Sequence, residues 1–132
     1  MVIDLIRSRL ADMSVPVFDS FVTDEELQAS YVLIVAPGLE RGGDESLYGG
    51  PSSVDLIVRA VGVTPGQVRA LVEATRARLR GVRGLSGGKW WSFHWDGSPR
   101  PVQADQQSKN SLGTFPVWLD DEYTVYAEKV QK

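Results

Sequence analysis

The fold is decided by residues 54–81, which read VDLIVRAVGVTPGQVRALVEATRARLRG. The first eight residues place apolar side chains at every second position, which is typical of a half-buried β-strand. Next, Thr64, Pro65 and Gln67 provide an N-cap, a first-turn proline and capping-box spacing for a helix that Gly81 can end. The face of this helix that is suited to burial consists of Val68, Leu71, Val72, Thr75, Leu79 and Val82.

A second strand and a long loop precede this stretch. Residues 31–36 are apolar at every position, which predicts a central strand that is buried on both faces, with helices covering at least one face of the sheet. Residues 37–53 contain five glycines and two prolines and show no helical or alternating periodicity. The sequence therefore predicts a β-hairpin with a long exposed loop, which either contacts a partner or is an insertion that binds nothing.

The N-terminal residues predict a helix and an edge strand. In residues 2–12, Ile3, Ile6 and Leu10 recur at helical spacing, so an amphipathic helix is expected there. Residues 15–18 favour a strand in which Pro16 lies at a sheet edge or at the strand start, because Pro16 has no backbone donor. Capping-box spacing from Thr23 to Glu26 predicts a single helical turn before the apolar strand.

The C-terminal third predicts further strands. Residues 89–96 form one strand, residues 102–105 a short one, and residues 115–119 and 123–128 two more, with a turn at residues 120–122 between them. Together these elements predict an α+β fold, with a mainly antiparallel sheet packed with two helices and a long hairpin loop. We expect a single domain over residues 1–132.

The strand at residues 89–96 holds three of the four tryptophans of the chain. Alternation places Trp91, Phe93 and Trp95 on one face and Trp90 on the other, with Ser92 and His94. Either both faces are buried within the monomer, or one face packs on the domain and another chain covers part of the second.

Composition excludes several classes of function. The chain has 14 basic and 17 acidic residues, a balance that argues against holding nucleic acid by charge. The absence of cysteine excludes a disulfide framework, a thiolate metal site and a cysteine nucleophile. No apolar run approaches 18 residues and the first residues do not resemble a signal peptide, so we expect a soluble protein made in a cytoplasm, with no membrane partner.

The motifs that suggest chemistry fail on context. Residues 84–88 match G-x-S-x-G, but a nucleophile elbow needs a strand running into a helix, and here a helix runs into a strand. Residues 86–89 suggest a phosphate loop, but that motif needs glycine at the position of Arg83 and a hydroxyl residue at the position of Trp90. His94 is the only histidine and is interpreted as a structural or interface residue. The acidic residues 120–122 are consecutive on a predicted hairpin and point in different directions. The sequence thus predicts no catalytic residue, cofactor or metal site.

A column of arginines follows one side of the predicted long helix. It consists of Arg69, Arg76, Arg80 and Arg83, with Glu73 among them. Arginines in the last turn of a helix suit its dipole and are well solvated, so this is either a plain surface or an interface with an acidic partner or a neighbouring subunit.

The order of these elements resembles the tail terminator proteins of long-tailed bacteriophages, which close the head-proximal end of a finished tail tube. The resemblance covers nearly the whole chain and is one of shape and element order. It rests on the helix at 3–12, the strand at 31–36 with Pro37, the loop at 38–51, the strand at 54–61, the helix at 65–80 and the strand at 121–128.

The resemblance implies a structural protein without catalysis. It implies a homohexameric ring that docks on the last ring of the major tail tube protein, stops tube polymerisation and offers its other face to the neck proteins of the head. Genome DNA would pass through the lumen without specific binding, which suits a net acidic protein. The expected location is the head-proximal end of the virion tail, after synthesis in the host cytoplasm.

Each subunit of such a ring needs two different complementary patches. One hypothesis pairs the arginine column with the acidic residues Asp120, Asp121 and Glu122. The candidate for contact with the tube or for the lumen is the loop, through Arg41, Asp44, Glu45 and Tyr48. The alternatives are another head-to-tail neck protein or a small protein-interaction module, and, with less support, a small hydrolase.

Overall fold

The computed structural model describes residues 2–23, 29–36, 53–104, 109, 112–113 and 115–127. Within them lie two helices, α1 (Val2–Arg9) and α2 (Pro65–Leu79). Thr64 caps α2 as predicted, since its Oγ1 accepts a hydrogen bond from the Gln67 backbone N–H at 3.2 Å. The Gln67 side chain reaches back and accepts from the Val63 N–H at 2.8 Å. These two bonds fix where α2 starts.

Seven strands form one sheet in the described part of the chain: β1 (Val17–Asp19), β2 (Tyr31–Val35), β3 (Ser53–Gly62), β4 (Arg83–Ser86), β5 (Lys89–Gly97), β6 (Gln103–Ala104) and β7 (Val117–Ala127). Their order is β1-β2-β3-β7-β5-β4, and β6 pairs with the beginning of β7. The pair β1–β2 is parallel and the other pairs are antiparallel. The prediction of a mainly antiparallel α+β fold is confirmed.

The predicted hairpin is formed by β2 and β3, which pair from Tyr31 opposite Val61 to Val35 opposite Ile57. Its loop, residues 37–52, lies outside the described residues, as does the helical turn predicted after Thr23. In β2 only alternate residues are fully buried, so the prediction of a strand buried on both faces is wrong for the second face. The reason is that both helices lie on the same side of the sheet.

The core lies between the helices and one face of the sheet. Apolar side chains of α1 and the end of α2 pack with β2, β3, β5 and β7, while the rest of α2 packs on Ala60 and Val117. On β3 the side chains of Val54, Leu56, Val58 and Ala60 are buried on this side of the sheet, the alternation that the sequence predicted, and Val61 is buried on the other side. We call this the covered face of the sheet.

The turn predicted at residues 120–122 is wrong. Val117–Ala127 is one continuous strand that pairs with β3 from Val117 to Tyr126, and Asp120 lies opposite Arg59 within it. Three consecutive acids remain in a strand because their charges have separate environments. Asp120 and Asp121 each bond an arginine on opposite faces of the sheet, and Glu122 faces solvent in part.

The glycines near residue 84 have structural explanations. Gly87 and Gly88, with φ of 61° and 77°, form the two-residue turn between β4 and β5. Hairpin turns of this kind require positive φ at both central positions, which glycine adopts without strain. The G-x-S-x-G match is therefore the end of a hairpin strand and its turn.

Candidate interaction surface

One face of the sheet carries no helix in the part of the chain that the structure describes. Strand alternation assigns to this uncovered face the side chains opposite in direction to the core residues. They include Asp55, Ile57 and Arg59 on β3 and Glu122, Thr124 and Tyr126 on β7. From β5 and β4 the same face receives Trp90, Ser92, His94, Arg83 and Leu85.

Large apolar side chains are exposed at one corner of the uncovered face. Leu85 is 57% exposed, Tyr126 48% and Trp90 43%. Leu85 lies directly opposite Trp90, and Tyr126 lies opposite Ser92 on the neighbouring strand, so the three are close on the sheet. The Arg83 guanidinium stacks on the Trp90 ring at 4.3 Å from its centroid. We call Leu85, Trp90 and Tyr126 the apolar corner.

The exposure of Trp90 decides between the two interpretations of the tryptophan strand. Trp91 and Phe93 are buried on the covered face, as predicted, whereas Trp90 and His94 are exposed on the other face. Burial of both faces within the monomer is therefore wrong. The second face is open to a partner.

An acidic depression lies next to the apolar corner. Asp55, Asp96 and Glu122 line a shallow cavity of about 330 Å³ together with Ile57. The Thr124 hydroxyl donates to Asp96 at 2.6 Å. No ion-pair partner of Asp55 or Glu122 lies in the described part of the chain, so this area of the uncovered face is negative.

His94 and its neighbours do not form a hydrolytic triad. The His94 Nε2 lies 3.5 Å from Asp96 Oδ1, and both side chains stand on the exposed face. Thr124 bonds Asp96 rather than His94, so the base is not placed between the nucleophile and the acid. Among the described residues, no group of three or more His, Asp or Glu side chains is placed to hold a metal ion.

On the covered face, a buried ion pair ties α2 to the sheet. Arg76 donates from Nε and Nη2 to the two carboxylate oxygens of Asp121, at 3.0 and 2.9 Å. The Asp121 side chain has no exposed surface, and that of Arg76 is 26% exposed. The Ser98 hydroxyl also donates to Asp121. A contact of Asp121 with another subunit would first require breaking this pair.

A second ion pair uses Asp120 on the uncovered face. Arg59 donates from Nε and Nη2 to the two oxygens of Asp120, at 2.8 and 3.0 Å. Its guanidinium also lies 5.6 Å from the centroid of the Trp118 ring. The hydrogen bond to Asp120 raises the pKa of Arg59 above its ordinary value. Of the three predicted interface acids, Glu122 is therefore the one without a partner among the described residues.

The arginine column is shorter than predicted. Arg83 is in β4 and not on the helix, because the chain leaves the helical conformation at Gly81, whose φ is 72°. The guanidinium of Arg80 stacks on Trp95 at 4.6 Å, next to that of Arg76 at 4.3 Å. Arg69 and Arg80 are exposed, and neither has an ion-pair partner within the described residues. The predicted loop contacts Arg41, Asp44, Glu45 and Tyr48 lie outside the described residues.

The buried side chain of Tyr123, next to Asp121, makes the stability of the fold depend on pH. Burial first, and then the Asp121 carboxylate, raise the pKa of Tyr123 above its ordinary value of 10.0. The folded state therefore favours the neutral phenol, and stability is lost as pH rises from that ordinary value towards the folded pKa.

We expect Tyr123→Phe to reduce the loss of stability at alkaline pH. Urea unfolding at a series of pH values from about 8 to about 11 gives the free energy of unfolding at each pH. Its slope against pH reports the protons that the folded state binds and the unfolded state does not. Tyr126→Phe, at an exposed tyrosine of the same strand, is the control and should follow the wild-type curve. If the free energy of unfolding has the same slope against pH in the wild type and in Tyr123→Phe, Tyr123 is not the source of the pH dependence.

The chain matches no protein-family profile, no curated protein and no solved structure. Neither helix in the described residues is long and apolar enough to span a membrane.

Proposed function

We propose that this protein is a structural tail terminator, which acts through protein contacts and makes or breaks no bond. Copies of the chain close into a homohexameric ring on the last ring of the major tail tube protein. The ring stops polymerisation and joins the tube to the neck proteins of the head, with DNA passing through its lumen.

The observation that supports this proposal most is the uncovered face of the sheet. Three large apolar side chains are exposed together at the apolar corner, beside a negative depression. Soluble monomers rarely expose contiguous apolar patches with polar surroundings unless the patch is a binding site. A flat face of this kind suits a protein surface better than a small molecule, which binds in an enclosed cavity.

Depletion of the protein during phage assembly tests the function. A terminator limits tube length, so its loss is expected to give tails of abnormal length when particles are measured by electron microscopy. Tails of normal length that lack heads would contradict the proposal and favour another neck protein. As a control, restoring the wild-type chain from a plasmid should return the normal length.

The hydrolase alternative has its own test. A thermal-shift screen with metals, nucleotides and model esters is expected to leave the melting temperature unchanged. A clear shift with an ester, followed by turnover of that ester, would favour an enzyme and contradict the proposal.

A further inference from the structure

We infer that the uncovered sheet face of one subunit binds the outward face of α2 of a second copy of this chain. This inference rests on the proposed function, since it names the surfaces through which the ring closes. It assigns the two complementary patches to opposite sides of the same sheet.

The sheet side of the contact is negative with an apolar border. Asp55 and Glu122 have no ion-pair partner in the described residues, and Asp96 completes the acidic depression. The basic groups nearby are His94, which stands beside Asp96, and Arg83, which is stacked on Trp90. Arg59 on the same face is already neutralised by Asp120. The apolar corner adjoins this area along β5 and β7.

The helix side of the contact is positive and has short side chains between its charges. Arg69, in the second turn of α2, and Arg80, which follows its last residue, are exposed, and Glu73 is the acidic residue between them. Ala70 and Ala77 are also exposed and allow a flat surface to approach the helix closely. Fifteen residues give α2 a length of about 22 Å, which fits on a sheet whose ten-residue strand β3 is about 33 Å long.

The side chain of Arg80 is preorganised for binding a carboxylate of a second copy. Its guanidinium is held against the Trp95 ring, so fewer side-chain conformations are lost when a carboxylate binds it. Arginine and carboxylate groups form paired, charge-assisted hydrogen bonds that fix the orientation of a partner. Opposite charges on the two surfaces therefore set which faces meet, while the apolar corner contributes buried area.

A second copy fits this pair of surfaces better than a symmetric dimer does. The two patches differ, and they lie on opposite sides of each subunit, so every copy can give one patch and receive the other. Contacts of this heterologous type repeat until the rotation closes a ring. The tube protein is the other possible occupant, and the experiment separates the two.

Two charge-reversed variants test the contact. The helix variant Arg69→Glu/Arg80→Glu makes α2 negative, and the sheet variant Asp55→Lys/Glu122→Lys makes the uncovered face positive. Each variant alone would place like charges against each other, so we expect capping of purified tail tubes to fall at least tenfold. In an equal mixture every helix face meets a sheet face of opposite charge, and capping is expected to recover to at least half of the wild-type level.

A matched control and a fold measurement accompany these variants. Arg7→Glu/Arg100→Glu makes the same change of charge as the helix variant at exposed positions outside both patches, and it should cap tubes as the wild type does. Thermal melting monitored by circular dichroism identifies a variant that has lost its fold. For such a variant, single substitutions at Arg80 and Glu122 replace the double changes in the same mixing design.

The outcomes separate the inference from the proposed function. Capping by either variant alone at the wild-type level, or failure of both variants with no recovery on mixing, overturns the inference; the second result places one of the patches on the tube protein. If the wild-type chain does not cap tubes, the proposed function fails. The contact is then judged by analytical ultracentrifugation: loss of self-association in each variant and its return on mixing support the contact, and a wild-type chain that stays monomeric overturns it.

Discussion

Replacing Arg76 with alanine is expected to lower the free energy of unfolding by about 3–5 kcal/mol. Arg76 makes two hydrogen bonds to Asp121, whose side chain has no exposed surface. Without the guanidinium, the carboxylate either remains buried and unpaired or takes up a proton, and both carry a large cost. Urea unfolding of the purified protein measures the change.

The pair Arg78–Asp12 provides the matched control. The two side chains bond at 2.7 Å, but Asp12 is 76% exposed. Water can replace this partner, so Arg78→Ala is expected to lower the free energy of unfolding much less than Arg76→Ala does. In the double variant Arg76→Met/Asp121→Leu, both charges are removed and most of the stability should return. A cost below about 1 kcal/mol for Arg76→Ala would show that Asp121 is not buried as described.

Leu85→Asp is expected to reduce the capping of tail tubes at least tenfold while leaving the fold intact. Leu85 is 57% exposed at the apolar corner, so the monomer loses little buried surface when it is replaced. In an assembled ring, however, the new carboxylate would be buried in an apolar contact, and an unpaired charge there is costly. Electron microscopy counts the capped tube ends, and thermal melting confirms that the variant is folded.

Leu112→Asp is the control for this change. Leu112 is 49% exposed and does not belong to the sheet, so the substitution tests whether any added charge on an exposed leucine disturbs capping. It should cap tubes as the wild type does. Normal capping by Leu85→Asp, or an equal loss in both variants, would contradict a role for the apolar corner.

Local sequence patterns predict the elements whose stability is local. The cap at Thr64, the apolar stripe of α2 and the alternation along β3 each act within a few residues, and all three are present in the structure. The acidic residues of β7 were predicted wrongly for the opposite reason. Asp120 and Asp121 are held by arginines 61 and 45 residues away in sequence, and such tertiary pairing overrides local propensity.

The candidate surface could be predicted only in part. Because side chains alternate between the two faces of a strand, the sequence predicts that Trp90 and Trp91 lie on different faces, and the structure confirms this. Leu85 and Asp55 were not identified, although the same alternation applies to their strands. Which face is covered depends on where α1 and α2 pack, and this topology is set by contacts distant in sequence.

Electron microscopy of the purified protein mixed with tail tubes and free tube subunits tests whether the protein binds the end of a tail tube, as we propose. We expect one additional ring at one end of each tube and an arrest of elongation at that end. Tubes with unoccupied ends that keep lengthening in the presence of the folded protein would show that it is not a terminator.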